Sequence, residues 1–183
     1  MNETKNLFIR KFRETDLHDI QRMLANPAVM VYSGLSPFAI EQTREWLLGH
    51  MDHYSEVSPL GVFALEFKDS GEVIGYCGLE ELPENITQAI EVTVGLEPGH
   101  WGKGYALEAA SAMIDYALNE CGITRLVAVI HRDNQAAQHL VEKCGFQQEK
   151  ELAIEGVGPH ILFALEAPNT GRQSRRPAVE VGH

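Results

Sequence analysis

The chain has 183 residues and a mass of 20.4 kDa, and its 44% apolar and 22% charged residues are the make-up of one globular domain able to bury a core. Its 15 Lys and Arg against 26 Asp and Glu leave a formal charge of −11, which argues against a nucleic-acid partner held by broad positive charge and suits a cationic one. No apolar run approaches the roughly 18–20 residues that cross a bilayer, and the three cysteines show no CxxC spacing, so a cytoplasmic protein without membrane, disulfide framework or zinc knuckle is expected.

In chain order, residues 7–12 (LFIRKF) read as a strand, and Thr15-Asp16 opens a helix whose apolar positions Leu17, Ile20 and Leu24 run up to Asn26-Pro27. Ser36-Pro37 has the chemistry of a helix start, and Ile40, Leu47 and Met51 continue a second helix to about His53. Gly61–Phe67 and Val73–Leu79 are β-prone runs around a polar, glycine-containing turn at residues 68–72. After the polar stretch Glu80–Thr87, residues 89–96 alternate, with Ile90, Val92, Val94 and Leu96 on one face and Glu91 and Thr93 on the other. From Gly104 the period becomes helical through Leu107, Ala110, Ile114, Ala117 and Cys121, with Gly122 as the stop. Leu126–Ile130 is again a strand, Asn134 opens a helix ended by Gly145, and residues 146–152 and 161–165 complete the sheet around Gly156-Val157-Gly158-Pro159. The order β-α-α-β-β-β-α-β-α-β-β predicts one α/β domain with a mixed central sheet flanked by helices, over residues 1–166. Residues 167–183, with three arginines and little to bury, are expected to be a disordered tail.

The charge is uneven: residues 61–120 hold 2 basic and 11 acidic residues. Within that acidic third lies Leu96-Glu-Pro-Gly-His-Trp101-Gly-Lys-Gly104-Tyr-Ala106, a glycine-rich loop between a strand and a long helix. Such a loop offers unpaired N–H groups at the positive end of a helix dipole, an anion site suited to phosphate; a tight turn with close packing is the plainer reading. It is neither GxxxxGK[ST] nor GxGxxG, because Gly104 follows Lys103 and no glycine stands at 107, so P-loop and Rossmann readings both lose ground.

Trp101-Gly-Lys-Gly-Tyr-Ala-Leu-Glu-Ala, then Asn134 in His-Arg-Asp-Asn-Gln-Ala-Ala, then Glu142-Lys-Cys-Gly-Phe146 together resemble the GCN5-related N-acetyltransferase (GNAT) superfamily, and its RimJ/RimL-like ribosomal-protein branch in particular. The opening LFIRKFRETDL and the helix carrying Trp46-Leu47 are similar to that branch, so the likeness spans about residues 7–165. It implies a sheet whose middle strands, 89–96 and 126–130, splay apart, acetyl-CoA as the donor, and direct transfer of the acetyl group to a primary amine without metal. The family's pyrophosphate loop falls on Trp101, Gly102, Lys103, Gly104, Tyr105 and Ala106, with Trp101 in place of the usual Gln or Arg. Lys103 then either touches phosphate or is simply solvated. The resemblance places the pantetheine arm against the strand edge at Val92–Val94, where a backbone N–H would also face the thioester oxygen.

Asn134 would bind that arm or order the loop, or be a plain N-cap of the last helix. Glu91 is the base candidate, the alternative being an ordinary surface glutamate; with a normal pKa it would need water or desolvation to take a proton from an amine. Tyr32 and Trp46 are expected to wall the acceptor pocket, with the loop Glu80–Thr87. Two departures stand out: Ala137 and Val141 replace the Ser and Tyr of many members, the latter being the residue that protonates the leaving thiolate. They favour a rival reading, a non-catalytic acyl-CoA-binding protein on the same fold. His50 and His53, three residues apart, lack a third ligand and read as structural or surface residues. The amine, a protein N-terminus or a small molecule, and the oligomeric state, a homodimer included, stay open.

Overall fold

A computed structural model of the chain describes residues 2–55, 58–83 and 86–168. The expected tail from residue 169 onward, and Glu84 in the expected acceptor loop, lie outside the described residues.

The elements are β1 (Asn2–Glu3), β2 (Leu7–Arg10), α1 (Leu17–Leu24), α2 (Pro27–Met30), α3 (Ile40–Asp52), β3 (Gly61–Phe67), β4 (Val73–Glu81), β5 (Ile90–Leu96), α4 (Tyr105–Asp115), β6 (Arg125–His131), α5 (Gln135–Lys143), β7 (Gln147–Ile154) and β8 (Gly158–Glu166). The strands form one mixed sheet in the order β1-β2-β3-β4-β5-β6-β8-β7. Its pairs are antiparallel except for β5 and β6, which are parallel, as a connection through a helix requires.

The α/β expectation is met, with local shifts. Asn26 does not merely end a helix, because its side chain accepts from the Ala28 N–H and starts the short α2. The second long helix begins at Ile40 rather than at Ser36-Pro37, with the Gln42 side chain accepting from the Ala39 N–H. The helix after Gly104 widens into a π-type turn over Tyr116–Glu120 before Gly122 turns the chain at φ +69°.

Alternation along the strands sends side chains into two cores. Cys77, Leu79, Val92, Leu126, Ala128, Ile161 and Phe163 pack with Met113, Ile114 and Val141 of α4 and α5. On the opposite face, Val62, Ala64 and Val73 pack with Ile20, Met23 and Leu47 of α1 and α3. Buried Arg10 ties β2 to the start of α1 through a two-point contact with Asp16 at 2.7 and 2.9 Å, while its Nε donates to Glu66.

Candidate active site

Parallel pairing of β5 with β6 stops after two register positions, Ile90 with Leu126 and Glu91 with Val127. Beyond them the strands diverge, so one edge of β5 over residues 92–96 has a ladder partner in β4 and the other has none in β6. At the point of divergence the Glu91 carboxylate accepts from the Val129 N–H at 2.8 Å, a side chain taking the place of a ladder bond. The resulting cleft, about 190 Å³, is lined by Glu91, Val92, Thr93 and Val94 from β5, by Val129, Ile130 and His131 from β6, by Asn134, Ala137 and Val141, and by Tyr32 and His160.

The glycine-rich loop follows β5 and leads into α4, whose Ala110 lines the cleft. Gly102 and Gly104 hold φ of +72° and +89°, a left-handed conformation that glycine adopts without penalty, and nothing lies within 4 Å of where a Cβ would stand. Gly104 is the N-cap of α4, no side chain caps that end, and the first intrahelical bond runs from the Glu108 N–H to the Gly104 carbonyl. The N–H groups of the first turn therefore have no intrahelical acceptor, which fits an anionic group of a cofactor. Trp101 is 48% exposed, but its indole N–H donates to the Leu96 carbonyl at 2.8 Å, which fixes the loop to the end of β5. The one carboxylate of the first turn, Glu108, is drawn away to Thr4 and Asn6. Burial alone would push its pKa up, yet these hydrogen bonds hold it below the ordinary carboxylate range. Lys103, within the loop, is exposed.

On the face of the sheet opposite α4, acidic and aromatic groups converge. Glu80 is the register partner of Glu91 across β4 and β5. Burial raises the Glu91 pKa to about 7, with the Val129 N–H opposing the shift and Glu80 adding to it. Burial raises Glu80 as well, against the pull of His53. Tyr76 shares a hydrogen bond with Thr93, and burial followed by the charges of Glu80 and Glu91 pushes its hydroxyl up to about 12, so it stays protonated. Gly95 makes room for that ring, since a Cβ there would stand 2.6 Å from it.

The expected site residues thus fall into three groups. Glu91, Val92, Val94, Asn134 and Tyr32 share the cleft, whereas residues 101–106 form the loop and the start of α4 and are not among its lining residues. Trp46 stands one residue back, 5.4 Å from Tyr76 and 4.3 Å from His50 by ring centroids. Asn134 caps α5, its Oδ1 accepting from the Ala137 N–H at 3.2 Å, while also lining the cleft. Val141 is part of the apolar wall. Burial and then His53 depress the His50 pKa to about 4, so this histidine is a neutral partner of Trp46. Among the described residues, no group of three or more His, Cys, Asp or Glu is placed to hold a metal ion, and no helix is long and apolar enough to cross a membrane.

Tyr76, His131 and His160 were not picked out by sequence reasoning. Tyr76 lies in a strand too apolar to draw notice, and the two histidines become neighbours only through the β6–β8 register that pairs them.

Comparison with known proteins agrees with this geometry. The family described as Acetyltransferase (GNAT) domain matches residues 6–147. The chain is 31% identical over 148 residues to the uncharacterized N-acetyltransferase YoaA of Bacillus subtilis, covering 80% of this chain and 82% of that protein. It is 26% identical over 156 residues to the spermidine N(1)-acetyltransferase of Escherichia coli, covering 85% and 80%. An acetyltransferase of the GNAT family from Bacillus anthracis superposes with a TM-score of 0.78 at 21% identity, covering 90% of this chain and 96% of the other. The spermidine N-acetyltransferase of Vibrio cholerae, solved in complex with CoA and spermine, superposes with a TM-score of 0.71 at 23% identity, covering 88% and 95%. The splayed sheet, the open helix start and these likenesses agree, and the chain belongs to the GNAT family as an acetyl-CoA-dependent N-acetyltransferase.

Proposed function

We propose that the protein acetylates a primary amine on a cationic acceptor, with Glu91 as the group that receives the amine proton. The observation that carries this reading is the Glu91 carboxylate itself, at the divergence of β5 and β6, with burial bringing its pKa to about 7. A base of that strength is better matched to a proton on nitrogen at neutral pH than an ordinary glutamate is.

Acetyl-CoA supplies the activated acetyl group. Backbone N–H groups of residues 102–106 and the start of α4 hold its pyrophosphate, with Lys103 at most adding charge. The unpaired edge of β5 at Val92–Val94 lies along the pantetheine arm, and a backbone N–H there stabilises the charge that develops on the thioester oxygen. Asn134, which lines the same cleft at the start of α5, would hold that arm. The Glu80 and Glu91 carboxylates attract the ammonium, and Glu91 takes the proton as nitrogen attacks; Tyr32 walls the acceptor side, with Trp46 behind Tyr76. With an apolar Val141, the thiolate, whose conjugate acid has a pKa of about 8.5, leaves and takes its proton from water.

The likeness to spermidine acetyltransferases supports a small polycationic acceptor, and the motif likeness to the RimJ/RimL-like branch supports a protein N-terminus. The paired glutamates favour the former. The reading is of a cytoplasmic protein with its catalytic domain in residues 1–166, and the open edge of β7 is compatible with a homodimer. Following free thiol release from acetyl-CoA with a panel of polyamines, monoamines and peptides tests it. Acceptor-dependent release with the polyamines supports the reading, release with peptides alone moves it to the N-terminal branch, and thermal stabilisation by CoA without release from any amine overturns it.

A further inference from the structure

Tyr32 lies in the loop between α2 and α3, yet its contacts are with the far half of the molecule. Its ring stacks on His131 at the end of β6, with centroids 5.2 Å apart and planes at 27°. Its hydroxyl donates to the backbone carbonyl of Asp133 at 3.2 Å, across 101 positions of sequence. The same loop touches that half again at Gly34, where a Cβ would stand 2.9 Å from Val157 in the β7–β8 turn. Within residues 31–35, Ser33 Oγ donates to the Met30 carbonyl and accepts from the Leu35 N–H, and Val31 and Leu35 are exposed; further along, Phe38 bonds to Leu24 and Gln21 of α1.

Asp133 is held from both sides of its backbone. Its N–H donates to His131 Nδ1 at 3.2 Å, and its carbonyl receives the Tyr32 hydroxyl. The next residue, Asn134, donates its N–H to the His131 carbonyl at 2.9 Å and caps α5. The Tyr32 hydroxyl therefore ends on the turn that presents Asn134 to the cleft, and Tyr32, His131 and Asn134 all line that cleft.

We infer that Tyr32 is a positioning residue that couples the two binding sites: the hydroxyl joins the acceptor-side loop to the cofactor-side turn, so that acetyl-CoA binding orders residues 31–35. Such a coupling is reciprocal, since a ligand that fixes the turn fixes the loop, and a fixed loop improves the turn for the ligand. One ordinary hydrogen bond of this kind corresponds to a roughly three- to tenfold change in affinity. The inference rests on the placement of acetyl-CoA in the β5–β6 cleft.

Backbone hydrogen exchange read by mass spectrometry, with and without CoA, tests it on the intact chain. In the wild-type protein, CoA is expected to slow exchange over residues 102–107 and over residues 31–35. In Tyr32→Phe, which keeps the ring and its stacking, CoA should still protect 102–107 while its effect on 31–35 is lost, and CoA affinity should fall about threefold or more. A merely structural tyrosine would loosen 31–35 equally with and without CoA, and that result overturns the inference. So does wild-type protection confined to 102–107, or coupling that survives in Tyr32→Phe. Absence of protection at 102–107 in the wild-type protein instead overturns the cofactor placement itself. Tyr32→Leu, which removes the ring contact too, should show the same loss of coupling and keeps the test open if one variant folds poorly.

Discussion

Glu80 and Glu91 face one another as register partners across β4 and β5, so the Glu80 carboxylate raises the cost of ionising Glu91. Burial contributes the larger share of the Glu91 shift, and Glu80 adds to it. A cation entering between the two carboxylates relieves both effects at once.

Glu91→Gln keeps an oxygen for the Val129 N–H and removes the base. Turnover should fall about 100-fold or more while CoA still raises the melting temperature. In the wild-type enzyme, kcat/KM should rise with pH through about 7 as Glu91 loses its proton, and this limb should vanish in the variant. Unchanged turnover in steady-state assays removes Glu91 from the chemistry.

The same carboxyl costs stability. With a pKa of about 7 in the folded protein against the ordinary glutamate value of 4.5, the native protein retains a proton that the unfolded chain has released between those values, so stability falls as pH rises through that window. Glu91→Gln should therefore be more stable than wild type at pH 8, by roughly 1–3 kcal/mol, with the gap closing by pH 4.5. Urea melts at the two pH values read this directly.

Glu80→Gln removes the charge opposing Glu91. The acid limb of the pH profile should move to lower pH, because Glu91 ionises more readily, and KM for a cationic amine should rise while its dependence on salt flattens. An unaltered KM would return the acidic surface to a role in solubility.

Gly104→Ala forces a side chain into a left-handed backbone position at no cost in contacts, since nothing lies within 4 Å. The strain of about 1–2 kcal/mol falls on the loop, and CoA affinity by calorimetry should drop roughly tenfold. Lys103→Ala should lose less, because the backbone N–H groups remain.

Arg10→Met leaves Asp16 buried without its guanidinium, the Arg13 N–H still donating to it. A loss of about 3–5 kcal/mol in chemical denaturation is expected. Replacing Asp16 by Leu in the same chain should recover part of that loss, as a double-mutant cycle would show.

Much of this was legible in the sequence because period and glycine placement report directly on local structure. The alternation at residues 90–96 put Glu91 and Thr93 on one face, and Gly102 and Gly104 marked a helix start with open N–H groups. Ser36-Pro37 has the residues of a cap, yet the helix begins at Ile40, because only the chain's path decides whether such a pair acts as one. Contacts such as Tyr32 on His131, His131 beside His160, and Glu80 opposite Glu91 depend on strand register and on a loop crossing the sheet, which no local pattern encodes. The raised pKa of Glu91 belongs to the same class, since burial is a property of the assembled cleft.

With only two register positions between β5 and β6, the sheet is mechanically a five-strand leaf and a three-strand leaf on a common hinge. The covalent link between them runs through Gly122. A protein cut there would yield two complementary fragments whose reassembly depends on what fills the wedge, and acetyl-CoA would act as the splint.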